Sequence, residues 1–151
     1  MYKNGNGDEG RDLCFRGSWQ VAQAITQAFP LGGSHAIGHL LGSVAGVPHG
    51  YTSCVLLPAV MKYNYEVNAV EQENFMKCFR TNNIFADLGL AEKPDLRTWD
   101  VLSKLIVSLA MPQTLEDVKL PKEKWEAVAE GTLSDLWPQT NPIPLVKRNK
   151  C

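Results

Sequence analysis

Apolar residues in this chain recur three and four positions apart, and nowhere do they alternate convincingly with polar ones. Phe15, Trp19, Ala22, Ile25 and Phe29 form one such stripe, and Trp99, Leu102, Leu105, Ile106 and Leu109 form another. That period lines one face of a helix and leaves no pleated surface to bury, so it predicts an all-α fold, a helical bundle. The stripes are read as core, and so are Trp19, Trp99, Trp125 and Trp137, because no basic residues interleave with these rings as in a base-stacking platform.

The first helix is expected from about Asp12 to Phe29, stopped by Pro30-Leu31-Gly32-Gly33, with Ser34 capping the next. The second carries glycines at 38, 42 and 46, each costing helix propensity on the order of 1 kcal/mol unless another element approaches that face closely. A third is expected over Thr52–Tyr63, bent at Pro58, then a helix over Val67–Phe79 and irregular chain from Thr81 to Leu90. Asp95 or Thr98 caps a helix ended by Met111-Pro112. A short turn follows at Thr114, and Pro121 opens a last helix reaching Leu136. The proline-rich tail from Pro138 is not helical. Residues 1–10 read as a disordered segment and 11–151 as a single helical domain.

With 151 residues, 44% of them hydrophobic, the chain is long enough to bury a core. Fifteen basic and sixteen acidic residues give a net charge of −1, with no electrostatic footprint for nucleic acid or an anionic membrane. The start lacks the apolar run of a signal peptide, and Val55–Met61 is too short to span a bilayer. Cys14, Cys54, Cys78 and Cys151 include no close-spaced pair, which excludes a metal knuckle or a redox Cys-x-x-Cys. A cytoplasmic protein with reduced thiols is expected.

All three histidines fall in one fifteen-residue window, at 35, 39 and 49. His35 and His39 share a helix face one turn apart, and His49 sits in a Pro-His-Gly turn. Imidazole is the commonest metal ligand among side chains and titrates near neutrality. The window admits three readings: a metal chelated by His35, His39 and His49, an acid–base histidine beside a metal or cofactor, or purely structural histidines. No His-Glu-x-x-His is present, and Asp12 and Glu66 are the nearest candidate carboxylates on neighbouring helices. Gly32-Gly33-Ser34 reads as a tight turn with a serine cap, not a phosphate cradle, since no strand precedes it and no lysine follows. Ser53 and Cys54 lack an upstream base, which leaves them weak as nucleophiles.

His35-Ala36-Ile37-Gly38-His39-x-Leu41-Gly42, Pro48-His49-Gly50 and Leu56-Leu57-Pro58-Ala59-Val60-Met61-x-Tyr63-Asn64 resemble, in order and spacing, the signature of iron-containing (group III) alcohol dehydrogenases. The branch of maleylacetate reductase and its fungal relatives is most similar. Leu115-Glu116-Asp117-Val118 and Thr140-Asn141-Pro142 resemble further landmarks of that family's C-terminal helical domain, and the likeness covers residues 12–145. It implies that His35 and His49 are metal ligands for iron or zinc and that His39 stands beside nicotinamide and substrate as the catalytic histidine. The family's NAD(P)-binding α/β domain has no counterpart in these residues, nor has the segment supplying two further ligands, and Ile143 stands where arginine is more usual.

The resemblance therefore implies an NAD(P)-dependent oxidoreductase acting on a small-molecule substrate, with only part of the machinery in this sequence. The partner this implies is a separate cofactor-domain chain, unless the sequence is a fragment of a longer gene product. A homodimer is expected if the chain is a remnant whose bared apolar face pairs with a second copy. The rival expectations are a repurposed enzyme doing nicotinamide-free acid–base chemistry (an isomerase, lyase or cyclase) and a non-catalytic remnant.

Overall fold

The computed structural model describes residues 7–90 and 95–147, and among them there is no strand. Six α-helices follow one another: α1 Asp8–Thr26, α2 Gly33–Ala45, α3 His49–Thr81, α4 Ile84–Asp87, α5 Thr98–Ser108 and α6 Trp125–Thr132, the last preceded by a 3-10 turn at Lys122–Lys124. The all-α expectation holds. No described helix is long and apolar enough to cross a membrane.

The chain divides after Leu31 into two compact units. In the first, α1 starts at Asp8, so the expected disorder does not extend over residues 8–10, while residues 1–6 lie outside the described part. Within its own unit the stripe read as core meets no second element, and α1 buries none of Phe15, Trp19 and Phe29 there. A lone helix is amphipathic in sequence but has no second element of its own unit to bury against.

The second unit is built on α3. Near its start, Leu41 and Val47 pack with Leu120 and Val128, joined by Ile37, Leu40 and Leu56. Toward its end, Met76 and Phe79 pack with Phe85 and Val101. Pro58 lies inside helical backbone, and the break falls ten residues later at Asn68 (φ −131°, ψ 31°). There Gln72 Nε2 donates to the Met61 carbonyl at 2.7 Å and to Asn68 Oδ1 at 2.8 Å, which ties the two halves of α3 together. The segment expected to be irregular after Thr81 contains α4, and the last helix ends at Thr132, short of Leu136. Trp125 is exposed, whereas Trp99 stacks edge-on against Tyr65 with ring centroids 5.1 Å apart.

The glycines of α2 divide by function. A Cβ on Gly38 would lie 2.8 Å from Thr52 Oγ1 and 3.3 Å from its Cβ, so this glycine lets α3 approach α2. Gly42 faces only the Val47 carbonyl, at an ordinary 3.7 Å. Gly46 is the left-handed stop of α2, with φ 68° and its N–H donating to Gly42 O at 2.9 Å. Thermal melts should accordingly give opposite signs for the same substitution four residues apart. Gly42→Ala gains up to about 1 kcal/mol of helix propensity. Gly38→Ala loses up to about 2 kcal/mol net, because overpacking against buried, β-branched Thr52 exceeds that gain. Equal shifts would show that Gly38 does not set the α2–α3 spacing.

Candidate functional site

His35 and His39 lie one turn apart on α2, and His49 is the first residue of α3. The left-handed Gly46 and the extended Pro48 (ψ 135°) fold α3 back against α2, and the Thr52 hydroxyl donates to the His49 carbonyl at 2.7 Å in the first turn. The helices thereby bring all three imidazoles together. Ring centroids are 4.4 Å apart for His35–His39, 5.1 Å for His35–His49 and 6.4 Å for His39–His49. One ligand nitrogen from each lies within 4.8 Å of the other two.

The two carboxylates expected as neighbours stand differently. Asp12 belongs to the first unit and pairs with Arg16 at 2.7 Å. Exposed Glu66 is on the same helix as His49 but about 25 Å further along it, at about 1.5 Å per residue. The acid that does meet the cluster is Asp135, which follows α6. Its Oδ2 lies 2.8 Å from His39 Nδ1, and its Oδ1 accepts from the Trp137 N–H at 3.1 Å. Sequence reading missed it because 96 residues separate it from His39, and no spacing rule connects a helix to a turn so far away.

Burial pushes the His35 pKa down, and the neighbouring His39 and His49 push it further, against an opposing pull from Asp135. Burial raises Asp135, but hydrogen bonds from His39 and the Trp137 amide together hold its carboxyl below the ordinary value. His35 is thus kept neutral, with its lone pair free, at physiological pH. A depressed histidine contributes stability that is present above its unfolded value near 6.5 and lost as pH falls toward its folded value. Without metal, chemical denaturation should therefore show stability declining as pH falls from about 6.5. His35→Gln should flatten part of that decline, and an unchanged slope would remove His35 as its source.

The start of α2 is held by a buried amide pair. Asn141 Oδ1 accepts from the Gly33 N–H at 2.9 Å and from Asn64 Nδ2 at 3.0 Å. Asn141 Nδ2 donates to Asn64 Oδ1 and to the Ile143 carbonyl, both at 2.7 Å. The glycine-rich turn before α2 is accordingly filled by Asn141, since a Cβ on Gly33 would fall 3.1 Å from its Oδ1. The turn serves packing, as expected of it, and its cap is Asn141, since Ser34 is not the N-cap.

The sequence profile described as "Fe-containing alcohol dehydrogenase family, C-terminal" matches residues 1–149. A protein of Alternaria alternata named Dehydrogenase ALT3 is 31% identical over 155 residues, covering 89% of this chain and 40% of that protein. Dehydrogenase FUM7 of Gibberella moniliformis is 32% identical over 125 residues, covering 78% and 29%. Alcohol dehydrogenase 4 of Saccharomyces cerevisiae is 28% identical over 147 residues, covering 97% and 36%. The chain thus spans well under half the length of these relatives, and no solved structure matches it. The matched profile, together with the histidine window on two packed helices, places this chain in the iron-containing alcohol dehydrogenase family, in its C-terminal helical part.

Proposed function

We propose that this chain forms the metal-holding helical part of an NAD(P)-dependent alcohol dehydrogenase or reductase, with a small carbonyl compound or alcohol as substrate. His35 and His49 are the metal ligands, and His39 is the acid–base residue. The observation that carries this reading is the convergence of three imidazole nitrogens within 4.8 Å at the junction of α2 and α3.

The donor set fits a divalent transition ion. Neutral imidazoles suit iron and zinc, and the depressed His35 needs no deprotonation to bind. A bound ion would act as a Lewis acid on a carbonyl or alcohol oxygen. Around it, His35 and His49 contribute fixed nitrogens from two packed helices, and His39 exchanges a proton with the substrate oxygen. NAD(P) does not fit the described residues. They contain no strand–turn–helix unit, and the Gly33 N–H that opens α2 is already taken by Asn141. Its binding is assigned to a nucleotide-binding domain beyond these helices, in the same polypeptide or in a separate chain.

The test is turnover with NAD(P)H and small aldehydes, with a nucleotide-binding domain supplied in cis or in trans. His39→Ala should lower turnover about 10²–10⁴-fold while metal content stays as in the parent protein. Loss of the metal together with turnover would make His39 a ligand and overturn the assigned roles.

A further inference from the structure

We propose that Asp135 is the positioning residue that selects the tautomer of His39, holding the proton on Nδ1 and leaving Nε2 with the lone pair. Its significance for turnover rests on the reading of His39 as the acid–base residue; the tautomer itself does not.

The geometry is specific on both sides of the carboxylate. An ionised carboxyl group only accepts hydrogen bonds, so the 2.8 Å contact between Oδ2 and His39 Nδ1 requires the ring to donate from Nδ1. In the neutral ring the other nitrogen, Nε2, is then unprotonated. Asp135 is itself held in place. Its Oδ1 accepts from the Trp137 amide at 3.1 Å, and its own amide donates to the Thr132 carbonyl at 3.0 Å at the end of α6. The Asp135 side chain is only 15% exposed, unlike the partners of an ordinary surface ion pair, and α6 packs on α2 through Gly131 against Leu40. A carboxylate behind a functional imidazole fixes both ring orientation and tautomer, which a loose surface contact does not.

The Trp137 amide makes one substitution decisive. It needs an acceptor, so in Asp135→Asn the side-chain oxygen stays on that amide and the NH₂ group turns to His39. An amide that donates to Nδ1 obliges the ring to carry its proton on Nε2. The isosteric change therefore keeps the fold and inverts the tautomer, which removes the lone pair from Nε2.

The experiment is ¹⁵N NMR of histidine-labelled chain just above neutral pH, with rings assigned by single histidine substitutions. The parent chain should show His39 protonated on Nδ1, and Asp135→Asn should show it protonated on Nε2. In the cofactor-complete enzyme, Asp135→Asn should lower turnover by up to about 10⁴-fold with metal content unchanged. Asp135→Glu should recover the Nδ1–H form in part. A parent His39 protonated on Nε2, or an Asp135→Asn variant that keeps Nδ1–H, would overturn the proposal. Should the chain bind no metal while both tautomers come out as expected, the functional reading fails and the assignment to Asp135 stands.

Discussion

Asn141→Ala should destabilise the second unit by about 3–5 kcal/mol, the largest stability loss expected from any polar substitution in this chain. Asn141 is 3% exposed and Asn64 4%, and each amide serves the other in both directions. Truncation strands the Gly33 N–H, the Asn64 Nδ2 and the Ile143 carbonyl without their present partners. Each such group costs about 1–3 kcal/mol when buried and unsatisfied. Asn141→Asp separates the two halves of the role. It keeps the oxygen on Gly33 but sets a carboxylate against Asn64 Oδ1 and the Ile143 carbonyl, and it should cost nearly as much. Denaturant midpoints for both variants check this, and a loss under about 1 kcal/mol for Asn141→Ala would show that the pair is not what ties the tail to α2 and α3.

His49→Ala should weaken binding of zinc or ferrous iron by more than about 100-fold, since loss of a residue that merely supports a ligand already costs 10–100-fold. His49 begins α3 with an exposed side chain, so its removal opens no cavity and leaves the melting temperature of the metal-free chain nearly unchanged. His35→Ala should match it in affinity, at some cost in stability because His35 is partly buried. Competition titration with a chelating dye measures both. Affinities within threefold of the parent would show that neither imidazole holds the ion.

The cluster was legible in the sequence because its parts are local. A four-residue spacing puts His35 and His39 on one face, and a glycine followed by Pro48 turns the chain so that His49 begins the next helix. The all-helical class was legible from the same kind of short-range periodicity. What stayed hidden depends on pairs of distant residues. Asp135 reaches His39 across 96 positions, and Asn64 and Asn141 meet across 77. Helix ends were also hard to place, because Ala28, Asn83 and Ala110 take positive φ (62°, 57° and 54°) where a glycine would have announced the turn. The stripe on α1 is a different case, because its own unit holds no second element. Phe15, Trp19 and Phe29 have the period of a core face, but periodicity reports an apolar side, not whether anything covers it.

Elemental analysis of the purified chain after reconstitution with ferrous iron or zinc, set beside a His35→Ala/His49→Ala variant, tests the central claim most directly. Held by His35 and His49, about one ion per chain should be retained through gel filtration, and the double variant should retain none. An ion-free parent chain, or equal metal in parent and variant, would contradict the assignment of a metal centre to the α2–α3 junction.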